Sequence, residues 1–204
     1  MNRILMYLND MLPYIFLFLP AFAVFRFVRI KQMNRSMIKT TFLHEAGITV
    51  LSFIIVGLIS QAVLAEISFT GSEFVVNADD MNNIRLNLTP FRFIGETYRM
   101  VTIYGDWNYL LINFFGNIGI FMPFGIFIPL LFRTGKSFVK VTLIGFAVSV
   151  FIELCQLPLM RGTDIDDVIL NTLGAILGYF VFLLIEKAMP RFAEKFKVKN
   201  IEKK

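Results

Sequence analysis

Five stretches of the chain stay apolar for close to the about 20 residues a helix needs to cross a bilayer core: 11–28, 46–67, 110–132, 141–159 and 168–185. The pattern predicts an all-α polytopic membrane bundle of about five transmembrane helices in a single domain, residues 1–204. The fourth stretch is interrupted by Glu153 and Gln156. Between the second and third lies a long polar loop, 68–109. It begins acidic (Glu73, Asp79, Asp80) and ends rich in aromatic residues (Phe91, Phe93, Tyr98, Tyr104, Trp107, Tyr109). Aromatic side chains of this kind favour the headgroup layer, so 91–109 is expected to lie along the membrane surface, partly helical. Pro123 and Pro129 are expected to kink the third span.

Composition agrees with lipid as the solvent. Hydrophobic residues make up 56% of the 204 and charged residues only 17%, against roughly 25% in an average soluble protein. Twenty-four phenylalanines and 10 methionines are too many to bury in so small a water-soluble fold. The single cysteine, Cys155, excludes an intrachain disulfide and a cysteine-rich metal site.

The net charge of +5 does not point to nucleic acid, because the basic residues flank the apolar runs. Arg26, Arg29, Lys31, Arg35 and Lys39 follow the first span, and Arg133, Lys136 and Lys140 lie between the third and fourth. The tail, 186–204, carries Lys187, Arg191, Lys195, Lys197, Lys199, Lys203 and Lys204. Of 20 Lys and Arg residues, only Arg3, Arg85, Arg92, Arg99 and Arg161 fall on the opposite side. The positive-inside rule then places the N-terminus outside and the C-terminus inside. Ala21-Phe22-Ala23 resembles a signal-peptidase site, but the apolar run continues past it to Val28, and the segment is expected to remain uncleaved. His44, beside Glu45 on the basic side, is expected at the surface.

Polar residues inside spans are costly and mark candidate sites. With that topology they share one depth, the outer half. Asn113 and Asn117 are four apart on the third span; Gly145, Ser149, Glu153 and Gln156 follow the helical period on the fourth; Asp164, Asp167, Asn171, Gly174 and Gly178 do so on the fifth. Arg161, Asp164, Asp166 and Asp167 sit between the last two spans. The candidate ligand-binding set is Asn87, Asn113, Asn117, Glu153, Gln156, Arg161, Asp164, Asp166, Asp167 and Asn171, lining an outward polar pocket. Glu153 with Arg161 is the pair least explained by packing. Gly174-x-x-x-Gly178 reads as a close-packing device, and capping of the fifth helix accounts for one or two of the three aspartates that precede it, hardly all three. Three aspartates alone do not make a metal site, so neither a metal nor a cofactor is expected.

At these residues the chain resembles the VanZ-like family, named for a bacterial membrane protein linked to teicoplanin resistance. The matching segments are LNLTPF (86–91), NFFGNIGIFMPFGIFIP (113–129), FIELCQ (151–156) and RGTDIDDVILNTLGAILGY (161–179). Motif positions are Asn87, Pro90, Phe91, Asn117, Pro123, Gly125, Glu153, Gln156, Arg161, Asp164, Asp166, Asp167, Asn171 and Gly174. The resemblance implies a bacterial cell membrane and a link to glycopeptide resistance or the envelope; it implies no reaction. A transporter or channel subunit is disfavoured by the lack of a visible repeat and by polar residues confined to one leaflet, and two further functions stay open. One is a non-enzymatic protein binding membrane lipid or a lipid-linked envelope ligand. The other is an intramembrane enzyme acting on a lipid headgroup, with Glu153, Arg161 and Asp167 as catalytic candidates and Glu153 as base.

Overall fold

The computed structural model describes residues 3–62, 66–70, 73–77, 86–156 and 163–200. Helix α1 spans Arg3–Arg35 and α2 spans Phe42–Ala62. Helix α3, Arg92–Thr102, is followed by one turn of α4, Trp107–Tyr109, a π segment over Leu110–Gly116, and α5, Asn117–Leu131. Then come α6, Phe138–Gln156, α7, Ile165–Ala188, and α8, Pro190–Glu194. Six short strands join them: β1 (Ile38–Lys39) pairs antiparallel with β6 (Lys199–Asn200), β2 (Glu66–Thr70) antiparallel with β3 (Glu73–Asn77), and β4 (Leu86–Asn87) parallel with β5 (Thr163–Asp164).

Among the described residues four helices are long and apolar enough to cross a membrane: Phe42–Ser60, Trp107–Leu131, Phe138–Gln156 and Ile165–Ala188. The protein is therefore a multi-pass membrane protein built as an all-α bundle. The expected first span is helical within α1, but Arg26, Arg29 and Lys31 crowd its C-terminal half. Large apolar side chains face outward on every long helix, among them Phe27, Ile55, Phe115, Leu143 and Leu184. Water would penalise such a surface, whereas lipid accepts it.

Helices α5 and α7 make the most extensive contact, and α6 and α2 pack around them. Phe121, Phe124 and Leu131 of α5 meet Tyr179 and Phe182 of α7, Val141 and Ile152 of α6, and Leu51 of α2. Without a hydrophobic drive between helices in lipid, close packing has to supply the attraction. Here glycines provide it. A Cβ on Gly125 would lie 2.1 Å from the Ala175 carbonyl oxygen, one on Gly174 2.3 Å from that of Ile118, and one on Gly178 2.0 Å from that of Met122. The two backbones touch, and the expected role of Gly174 and Gly178 is met with Gly125 as their counterpart.

The irregularity in the third apolar run is the π segment, which precedes both prolines; Pro123 and Pro129 lie within α5. His44 differs from expectation. It is 5% exposed, and its Nδ1 lies 2.7 Å from the Phe196 carbonyl oxygen. The tail beyond α7 folds back under the bundle, with Ala193, Phe196 and Lys197 buried, and so covers a histidine that the sequence leaves bare.

Gly125→Ala or Gly178→Ala should lower the unfolding midpoint in detergent, each costing about 1–3 kcal/mol by overpacking. Gly119→Ala in the same helix, where a Cβ meets nothing within 4 Å, should be neutral or stabilising. Equal effects at the three positions would contradict the glycine contact.

Candidate functional site

At the end of the bundle where α6 finishes and α7 begins, four carboxylates and three amides meet. Asp164 stands in extended conformation as the N-cap of α7, its Oδ1 accepting from the Asp166 backbone N–H at 2.9 Å. The same oxygen accepts from Asn87 Nδ2 at 2.9 Å, across the parallel pairing of β4 and β5. Asn87 Oδ1 accepts from the Thr89 N–H at 3.2 Å, closing an Asx turn. The segment 86–89 is thereby pinned to the head of α7.

Asp166, 2% exposed, has its carboxylate turned to a different helix. Its two oxygens accept from the N–H groups of Phe91, at 2.6 Å, and Phe93, at 2.8 Å. These donors open α3, where no intrahelical acceptor exists for them. Phe91 holds φ at 64°, in the left-handed region that a phenylalanine rarely adopts. The charged acceptor stabilises that conformation, so the first turn of α7 supplies the cap that α3 lacks.

The remaining groups face the interface of α5, α6 and α7. Asp167 Oδ1 accepts from Asn117 Nδ2 at 2.6 Å. Glu153, 5% exposed, accepts from the Asp164 N–H at 3.0 Å through Oε2. Four residues further into each helix, Asn171 Nδ2 donates to Ser149 Oγ at 2.8 Å, with Ser149 fully buried. Asn171 Oδ1 is buried and has no hydrogen-bond partner among the described residues. An amide oxygen left so in an apolar interior costs about 1–3 kcal/mol unless a donor reaches it.

The structure thus brings together Asn87, Asn117, Glu153, Asp164, Asp166, Asp167 and Asn171. It does not bring in Asn113, which is exposed and donates to the Tyr109 carbonyl at 3.1 Å. Its amide is turned back along its own helix, one turn towards the N-terminus, and so does not reach the cluster. Gln156 is the half-buried last residue of α6. Arg161, and with it the expected pairing with Glu153, lies outside the described residues. Among the described residues no group of His, Cys, Asp or Glu is arranged to hold a metal ion.

Sequence reasoning missed Glu96. Tyr109 OH donates to its Oε2 at 3.0 Å and Arg92 pairs with its Oε1 at 2.6 Å, tying α3 to the start of the third long helix. The four-residue spacing of Arg92 and Glu96 was the available signal.

The two neighbouring aspartates should separate on mutation. Asp166→Ala should expose 92–102 to protease and lower the unfolding midpoint, because two helix-start amides lose their acceptor. Asp167→Ala should leave that segment protected. Protection of 92–102 in both variants would contradict the capping role.

No curated protein and no solved structure matches the chain. The model of the VanZ/LLP1 family matches residues 48–186, well over half of the sequence and every element of the site from Asn87 to Asn171. The protein belongs to the VanZ/LLP1 family.

Proposed function

We propose that the chain forms one membrane domain of five crossings, α1 included, with its N-terminus outside and C-terminus inside. In this reading the acid and amide cluster opens to the outer leaflet and holds the polar head of an amphiphilic envelope ligand. The distribution of basic residues supports the orientation: the ends of α1 and α7 and the turn between α5 and α6 all carry them at the end opposite Glu153. The chemistry of the cluster supports the ligand class. Glu153, Asp167 and the Asn171 amide oxygen are acceptors, so a head group rich in hydroxyl, amide or amine donors suits them. Exposed Phe91, Ile94, Tyr98, Tyr104 and Trp107 beside the site supply an aromatic surface at headgroup depth, where an acyl-bearing ligand would approach.

The observation that carries the reading is Asn171 Oδ1, buried without a hydrogen-bond partner among the described residues, one turn along α7 from Asp167. A lipoglycopeptide of the teicoplanin type is itself an amphiphile. Binding it, or changing the lipid-linked material that it recognises, would lower susceptibility to it.

Expression in a susceptible Gram-positive host should raise the inhibitory concentration of teicoplanin more than that of vancomycin. Glu153→Gln and Asp167→Asn should each weaken that difference at unchanged protein level, with Glu153→Gln retaining part of it. Complete loss in Glu153→Gln alone would favour the enzymatic alternative, in which Glu153 acts as base on a lipid headgroup. Full retention in both variants would refute the site.

A further inference from the structure

The opposite end of the bundle contains a cavity of about 890 Å³. Its walls come from the C-terminal half of α1, the start of α2, the turn after α5, and the tail that folds back beyond α8. Five cations line it: Arg26, Arg29, Arg35, Arg133 and Lys197. Among the described residues, two of them have carboxylate partners. Arg26 pairs with Glu45, and Arg133 with Glu194 at 2.7 Å. The lining therefore carries a surplus of positive charge contributed by α1 and the tail.

Lys197 shows the cost of this arrangement. It is 2% exposed, its ammonium donates to the Pro129 carbonyl at 3.4 Å, and the attraction of Glu186 and Glu194 acts on it more weakly than burial and Lys136 do. Burial first, then the neighbouring Lys136, holds its pKa below the usual lysine value. An anion in the cavity would offset both effects. The same walls include Phe25, Met33, Ile48, Leu131 and Phe132, so an apolar surface runs beside the cations.

We propose that this cavity is a second site, distinct from the acid and amide cluster, which binds the phosphate of an anionic phospholipid in the leaflet facing the basic segments. Arginine forks suit phosphate oxygens, the buried lysine supplies a point charge, and the apolar walls accept the start of an acyl chain. Free inorganic phosphate offers the same oxygens but has nothing to place on Phe25, Leu131 and Phe132. The lipid is therefore the occupant the lining fits.

The test is a calorimetric titration of the purified, delipidated full-length protein in a neutral detergent. The probes are short-chain phosphatidylglycerol, short-chain phosphatidylcholine and inorganic phosphate. Phosphatidylglycerol should bind, and the other two should bind at least about tenfold more weakly. Arg29→Gln with Arg35→Gln, both exposed and outside any ion pair above, should weaken phosphatidylglycerol about tenfold or more. Lys31→Gln with Lys187→Gln removes the same charge outside the cavity and should leave it unchanged. Equal losses in the two double variants would reduce the effect to diffuse electrostatics and overturn the site, as would undiminished binding in the first. Inorganic phosphate binding as tightly as phosphatidylglycerol would overturn the lipid assignment.

Discussion

Contact between the backbones of α5 and α7 is the constraint on which the other arrangements rest. Gly125, Gly174 and Gly178 leave no room for a Cβ between the helices, and so fix both their separation and their axial register. That register sets Asn117 opposite Asp167 and carries Asp166 to the height of Phe91. Had one of the glycines been a larger residue, α7 would stand off from α5 and its acidic first turn would lose both partners. In lipid, where apolar surfaces gain little by meeting one another, such a contact also supplies attraction.

The acidic residues at the head of α7 divide their work. Asp164 and Asp166 are consumed in holding structure: one caps its own helix and anchors Asn87, and the other caps α3 from a distance. Asp167 and Glu153 face inward, where α5, α6 and α7 meet, with Asn171 and Ser149 below them. The structural aspartates hold the segment 87–93 beside the inner pair, at the end of the bundle that carries it. At the other end the tail performs a comparable task. It covers His44 and places Lys197 against α5, and Tyr179 and Lys136 join α7 to the turn between α5 and α6. Pairing with Glu186 raises the pKa of Lys136 and keeps it a cation.

Much of this was legible from residue pattern. The apolar runs give the long helices, and the polar stripe of Ser149, Glu153, Asp167 and Asn171 follows the helical period closely enough to predict a shared depth. Asn113 lies apart from the cluster because its amide bonds back to the Tyr109 carbonyl of its own helix, and the spacing of Asn113 and Asn117 carries no sign of that choice. His44, on the basic side beside Glu45, reads as a surface residue; its burial depends on Phe196 and Ala193 packing back beneath the bundle, a contact between residues 152 positions apart. The capping of α3 by Asp166 was hidden for a related reason. Its acceptors are on one helix and its donors are backbone groups of another, and backbone donors carry no side-chain signature.

The central claim is that the acid and amide cluster faces outward while the basic cavity faces inward. Single cysteines placed at Tyr104 and at Lys195, in a Cys155→Ser background, test it directly with a membrane-impermeant thiol reagent on intact cells. The account predicts labelling at position 104 in intact cells and at position 195 only after the cells are opened. Labelling at 195 with protection at 104 would contradict it.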